Sequence, residues 1–203
     1  MGITERRERE KQEMQQLILR TAADLFTEVG FEKTSIRSIA EKIEYSPATI
    51  YLYFKDKNEL FYAISQEAFQ LFFKYFQEVP ALEDPMKRLH QLGHIYFKFA
   101  FENPGYYDLM FILRAPMDVE ETQEHWELGQ RSHSVLSGLV NECMAAGYFK
   151  GRDPEVLAHL IWSTVHGIVS LKIRDRMKVY IEQERTELIY NSLEMFNDIL
   201  EKV

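Results

Sequence analysis

Cysteine is all but missing from this chain. Cys143 is the single thiol in 203 residues, which excludes an intramolecular disulfide and suits a reducing compartment. Proline and glycine are scarce as well, at six and nine, and that argues against a fold of short strands and tight turns. No apolar run approaches the roughly 20 residues needed to span a bilayer. Thr4 to Glu13 is charged where a secretory leader would need an apolar stretch. A soluble, cytoplasmic protein with no membrane association is therefore expected. Positive charge is in deficit too: 24 Lys and Arg against 32 Asp and Glu give −8. The deficit is uneven. Residues 1–60 hold ten basic and eleven acidic side chains, net −1, whereas residues 61–203 hold fourteen and twenty-one, net −7. Nucleic acid needs only a local cationic face, so the first sixty residues remain open to it and the rest does not.

What is present is apolar side chains, 46 % of the chain, arranged almost throughout with helical period and nowhere with sustained strand alternation. The spacing predicts a helix from about Glu10 to Val29, with Leu17, Ile18, Thr21, Ala22, Leu25 and Phe26 as its stripe and Gly30 as a left-handed cap. Thr34 or Ser35 caps a second helix with Ile36, Ile39, Ala40 and Ile43 on one face. Ser46 and Pro47 open a third that ends near Phe54. A fourth runs from Lys57 to about Phe76. Arg6, Arg7, Arg9 and Lys11 alternate with Glu5, Glu8 and Glu10, which reads as a solvated helical extension rather than an arm that follows DNA. Further helices are expected near 85–102, 104–113, 121–147, 154–175 and 181–201, punctuated by Asn103-Pro104-Gly105, Ala115-Pro116, Gly147 and Asp153-Pro154. The fold class is all-α: a three-helix N-terminal domain over residues 1–56, and a bundle of about six helices over 57–203.

Two short helices a few residues apart, the second opened by Ser-Pro, have the spacing of a helix-turn-helix, here about 35–54. Ile39, Ala40, Ile50 and Phe54 are expected to lock the pair against the first helix. Pro47, Ala48, Thr49, Tyr51, Leu52 and Tyr53 are then left facing a groove. Ala48 and the Thr49 methyl permit close approach to base edges, while the Thr49, Tyr51 and Tyr53 hydroxyls suit phosphates. Arg37 is a candidate guanine or phosphate contact, and Lys57 a phosphate anchor beside the first amides of the fourth helix. With Ser35 and Ser46, these complete the candidate DNA-binding set. A mere packing role is disfavoured, because tyrosines beside an exposed threonine make a poor core.

The run from Thr34 to Lys42, then Tyr45-Ser46-Pro47-Ala48-Thr49-Ile50-Tyr51-Leu52-Tyr53-Phe54-Lys55-Asp56-Lys57-Asn58-Glu59-Leu60, resembles the signature of the TetR family of regulators. Ile18 to Phe31, with Ala22-Ala23, Leu25-Phe26 and Gly30-Phe31, resembles that family's first helix. Two departures stand out. Ile43-Glu44-Tyr45 replaces the usual Ala-Gly-Val, and Ala48 replaces a frequent glycine. Glu44 must then adopt a conformation that glycine takes readily.

The remaining chain is rich in large apolar groups, among them Phe97, Phe99, Phe101, Tyr106, Tyr107, Met110, Phe111 and Leu113. Trp126, Leu136, Val140 and Met144 follow on one helix, and Leu157, Ile161, Trp162, Val165, Ile168 and Leu171 on the next. Most of these read as ordinary core. Helix bundles nonetheless hold cavities lined by aromatics and a few polar groups, and His133, Asn141, Ser163 and His166 are the polar residues interspersed here. The candidate ligand-binding set is Phe97, Phe101, Tyr107, Met110, Phe111, Trp126, His133, Leu136, Val140, Trp162 and His166. Asn103 to Phe111 resembles a segment common in TetR-family inducer domains, and Trp162 with Val165-His166-Gly167 resembles the Trp-His-Gly pattern of one subfamily. The resemblance implies an effector pocket among the middle helices and a homodimer built from the last two, with Leu188, Leu193, Phe196, Ile199 and Leu200 as a sticky stripe and Gly167 allowing close approach. It implies a repressor of a palindromic double-stranded operator, released by a small apolar or aromatic effector.

Rival classes carry less. His90 and His94 at i, i+4 could clamp zinc, but their flanks Lys87, Arg88 and Gln91 suggest an exposed face. There is no phosphate loop, serine elbow or activated thiol, so no catalytic residue, metal or cofactor is assigned. A helical adaptor without DNA binding, a metal-binding bundle and an activator of the same family stay open.

Overall fold

In the computed structural model, residues 2–113 and 123–202 are described, and among them the regular structure is helical. The order is α1 (Ile3–Glu28), α2 (Ile36–Lys42), α3 (Pro47–Tyr51), α4 (Lys57–Phe76), α5 (Pro85–Glu102), α6 (Pro104–Phe111), α7 (Gln123–Ala145), α8 (Pro154–Ile173) and α9 (Arg185–Leu200), with a 3-10 turn at Glu182–Glu184. The all-α expectation holds, with the boundaries of α4 and α5 where the sequence put them. The helix 121–147 is described from Gln123 to Ala145; Ala115-Pro116 lies outside the described residues. The chain forms two compact units. One takes α1 to α3, α4 as far as Gln70, and α6; the other takes the end of α4, then α5, α7, α8 and α9.

The first unit is built on Ile18, Ala22 and Phe26, spaced one helical turn apart on α1 and wholly buried. Phe26, Phe31 and Phe61 form a triangle of rings 5.1 to 5.8 Å apart, a spacing at which tilted rings attract beyond simple burial. Ile36, Ile39, Ala40, Ile50, Phe54, Leu60, Ile64 and Leu109 complete that core. Helix α1 starts seven residues before the expected Glu10. Its extra turns are solvent-facing and carry the ion pairs Arg6–Glu10 at 2.7 Å and Arg9–Glu13 at 3.6 Å. Gly30 takes φ +97° as the cap of α1.

Ser35 caps α2: its hydroxyl accepts from the Ser38 amide at 3.0 Å, and the Ser38 hydroxyl accepts from the Ser35 amide at 2.9 Å. A second serine thus closes the reciprocal box that a glutamate usually closes. Thr34 is buried, its hydroxyl donating to the Gly30 carbonyl at 2.9 Å. Between α2 and α3, Glu44 sits at φ +61° while the Tyr45 amide returns to the Ala40 carbonyl at 2.9 Å. Helix α3 ends at Tyr51, three residues early, because the Leu52 and Tyr53 amides bond three residues back and tighten the last turn.

In the second unit two Asp-Pro pairs start helices. The Asp84 carboxylate accepts from the Met86 amide at 2.9 Å, and that of Asp153 from the Glu155 and Val156 amides at 3.0 Å. Phe97, Phe99, Val140, Cys143, Phe149, Ala158, Val169 and Leu193 are buried to 1 % exposure or less. A Cβ on Gly93 would stand 3.3 Å from Leu193 Cδ1, so that glycine brings α5 close to α9. Gly167, expected to permit close approach, has open space around it within the chain.

Candidate functional site

The three-helix arrangement presents α3 outward. Ile50 and Phe54 are buried and hold α3 against the core, with Ile39 and Ala40 on the α2 side. One face of α3 therefore remains free. Tyr51 is 56 % exposed and Leu52 80 %; Ser46, Pro47 and Ala48 are exposed beside them. Thr49 is half-buried, its hydroxyl 3.1 Å from that of Ser46. Tyr53 differs from the groove-facing expectation in part: it is half-buried and packs against the core. Ser35 is exposed at the start of α2. Arg37 extends from α2 into solvent, its Nε 2.9 Å from the Glu41 carboxylate.

Lys57 behaves differently from a solvent-facing anchor. Its ammonium donates to the Phe31 carbonyl at 2.8 Å and the Thr34 carbonyl at 3.0 Å, and lies 4.1 Å from the Phe31 ring centre. The α1–α2 turn leaves these carbonyls without helical partners, and a half-buried cation satisfies them. At the same corner the Asp56 carboxylate accepts from the Glu59 amide at 2.8 Å, and the Glu59 carboxylate accepts from the Lys55 amide.

The ligand-binding candidates divide between the units. Tyr107, Met110 and Phe111 belong to α6 in the first, where Tyr107 is buried with its ring 5.3 Å from Phe111, and Phe111 meets Phe69 at 6.0 Å. The others belong to the second. Phe97 stacks with Phe101 at 5.6 Å, and Tyr190 of α9 meets both. Leu136 and Val140 are buried on α7. Trp126 is in α7, but its side chain lies outside the described residues. Of the four polar candidates, only His166 is turned inward: its Nδ1 is 3.1 Å from the Tyr96 hydroxyl, and the Trp162 ring stands 6.1 Å from its own. Burial pushes the His166 pKa below the ordinary histidine value. His133, Asn141 and Ser163 are exposed. The inward stripe of α7 is Ser132, Leu136, Leu139, Val140 and Cys143; His133 falls on its flank and Asn141 on the far side. Tyr96 was not singled out beforehand, because the apolar run around it reads simply as core.

His90 and His94 correct a second expectation. Their face of α5 is covered by α9, with His94 Nε2 3.0 Å from the Glu194 carboxylate and His90 Nδ1 3.8 Å from that of Glu201. Burial lowers the His90 pKa, with the two glutamates opposing. Among the described residues no three His, Cys, Asp or Glu side chains come together as metal ligands. Cys143 is buried, which pushes its thiol up to about 11 and keeps it protonated.

Two short helices locked against α1, the second with one uncovered face, define a helix-turn-helix, here followed in sequence by an apolar helical unit. Residues 18–64 match the family profile described as "Bacterial regulatory proteins, tetR family", and residues 89–195 match "Tetracyclin repressor-like, C-terminal domain". The second match spans more than half of the chain. The chain therefore belongs to the TetR family, and is a ligand-responsive DNA-binding regulator of the repressor type. It is 22 % identical over 169 residues to the fatty acid metabolism regulator protein of Bacillus subtilis, covering 79 % of this chain and 84 % of that one. An HTH-type transcriptional regulator of Staphylococcus aureus is 32 % identical over 71 residues, 35 % of this chain and 38 % of the relative. The fold is shared with the fatty acid degradation regulator FadR of Bacillus halodurans, with TM-score 0.71 and 20 % identity over 90 % of this chain and 97 % of that one. It is shared equally with Bacillus subtilis FadR in complex with stearoyl-CoA, with TM-score 0.71 and 19 % identity over 89 % and 96 %.

Proposed function

We propose that this chain represses transcription as a homodimer on a palindromic operator and is released by a fatty-acyl-CoA. The observation that carries the DNA half of the reading is the uncovered face of α3, where Tyr51 and Leu52 stand out from a helix otherwise pinned by buried Ile50 and Phe54. Large apolar groups on a short helix are costly to leave in water unless a surface covers them. Ser35, Arg37, Ser46, Pro47, Ala48, Thr49, Tyr51, Leu52 and Tyr53 of residues 1–56, with Lys57 just beyond them, form the interface. Tyrosine and serine hydroxyls fix the register on phosphates, and Lys57 acts by holding the α1–α2 turn in place.

The dimer reading rests on α8 and α9. Val156, Leu160 and Leu171 of α8, and Met195 and Ile199 of α9, are exposed apolar side chains, too many for a helix pair facing only water. A two-fold axis through them sets two recognition helices about 34 Å apart, one turn of DNA. The effector reading rests on the aromatic wealth of residues 57–203 and on the relatives concerned with fatty acids. The acyl chain lies within the second unit, among residues drawn from Phe97, Phe101, Leu136, Val140 and Trp162, with neutral His166 as the polar group and His133 at the rim. Trp162-Val165-His166-Gly167 is the local pattern by which the Trp-His-Gly subfamily would be recognised. Acyl-CoA binding favours a dimer spacing that no longer fits the operator.

The test is a mobility-shift titration against DNA upstream of the chain's own gene at two salt concentrations, with and without palmitoyl-CoA. Affinity that drops steeply with salt and is abolished by the acyl-CoA supports the reading. Salt-sensitive binding indifferent to acyl-CoA removes the effector, and no binding at either salt removes the operator.

A further inference from the structure

A helix that recognises DNA by hydrogen bonds presents arginine, lysine, asparagine or glutamine to the base edges, because those side chains supply the bidentate patterns for guanine and adenine. The outward surface of α3 has none of them. From Ser46 to Tyr53 the sequence is Ser-Pro-Ala-Thr-Ile-Tyr-Leu-Tyr, without a charged or carboxamide side chain. Ile50 is buried beneath, and Leu52 at 80 % exposure is the most exposed large apolar group of this segment. The Thr49 hydroxyl is engaged with Ser46 at 3.1 Å, which leaves the threonine methyl as its second point of contact. The nearest guanidinium on the preceding helix, that of Arg37, is held to Glu41 at 2.9 Å.

We propose that this regulator reads its operator half-site through thymine methyl groups, with Ala48, Thr49 and Leu52 as the reading surface, and not through bidentate contacts to guanine. In the major groove only thymine offers a methyl group, so an apolar side chain in van der Waals contact with it distinguishes T·A from the other pairs. Leu52 supplies the largest such surface, and Ala48 is short enough to bring the backbone near the groove floor. Tyr51 and the serines then position the helix on phosphates without carrying sequence information. The proposal rests on the operator-binding reading and names the chemical feature which that site selects.

The experiment starts with selection of bound sequences from a randomised duplex library by the full-length protein, followed by two modified versions of the selected operator. In one, deoxyuridine replaces each half-site thymidine in turn, removing only the methyl group. In the other, 7-deazaguanine replaces guanine, removing the N7 acceptor. A contacted methyl should be worth about fourfold in affinity, the equivalent of ~0.8 kcal/mol, and the 7-deazaguanine operator should bind as well as the unmodified one. The Leu52→Ala variant should lose most of the response to deoxyuridine at one thymidine, because the two changes remove the same contact. Leu52 is solvent-exposed, so a circular dichroism melt should show that variant folded as the parent is. A selected operator indifferent to deoxyuridine but weakened by 7-deazaguanine overturns the proposal and leaves operator binding intact. Failure to enrich any sequence overturns operator binding itself, and the proposal with it.

Discussion

The Lys57 ammonium donates to the Thr34 carbonyl oxygen at 3.0 Å, tying the first residue of α4 to the turn that precedes α2. It also takes up the Phe31 carbonyl at 2.8 Å. The Phe31 carbonyl also accepts from the Thr34 amide at 3.2 Å, so a shorter or uncharged residue at position 57 would leave the Thr34 carbonyl as the unpaired acceptor. Lys57→Met keeps the apolar stem and removes the donors. It should lower stability by about 1–3 kcal/mol, the cost of leaving such acceptors unsatisfied, read as a lower midpoint in urea unfolding. An unchanged midpoint would mean that water takes over the Thr34 carbonyl.

Glu44 stands at φ +61° between α2 and α3. An ordinary side chain there costs about 1–2 kcal/mol, part of which glycine recovers after its own loss of chain entropy. Glu44→Gly should therefore raise the thermal midpoint, by the equivalent of up to about 1 kcal/mol. A lower midpoint would show that the Glu44 side chain contributes more than its backbone costs.

Tyr51 is more than half exposed on α3, so Tyr51→Ala should leave the thermal midpoint near its original value while reducing operator affinity about fivefold or more, as for the loss of one hydrogen bond of ~1 kcal/mol. Equal affinities in a mobility-shift assay would take Tyr51 out of the interface.

Leu160 is 54 % exposed on α8, beside Val156 on the same uncovered face. Leu160→Glu should convert the protein to monomer at micromolar concentration, because a charge enters an apolar interface without a partner. Sedimentation velocity decides it; a dimer of undiminished affinity would move the interface elsewhere.

Burial lowers the pKa of His166, and of His90 against its two glutamates, below the ordinary 6.5. Each then binds its proton more weakly folded than unfolded. Their contribution to stability is complete above the unfolded value and is lost as pH falls through it toward the folded value. Urea midpoints should thus drop between about pH 7.5 and about pH 5.5. The His90→Gln/His166→Gln variant should show a smaller drop than the parent; an equal drop would assign the acid sensitivity to other groups.

Much of the fold was legible in the amino-acid order because its signals are local. Ser35, Ser46-Pro47, Asp84-Pro85 and Asp153-Pro154 start helices by bonding or fitting the first free amides, and those bonds form within a few residues of chain. The apolar period of α2 and α3 likewise named Ile39, Ala40, Ile50 and Phe54 as their inner face, so the outward residues of α3 followed by elimination. Three things were decided only in three dimensions. A stripe of apolar residues says that something covers it but not what, so His90 and His94 read as exposed until α9 was laid across them. Polar residues among apolar ones cannot be assigned a direction by period alone, which is why His166 turned inward to Tyr96 while His133 and Ser163 faced solvent. Lys57 looked like a free cation because the carbonyls it serves belong to residues twenty-three and twenty-six positions earlier, a distance in sequence that only the folded turn between α1 and α2 brings to 3 Å.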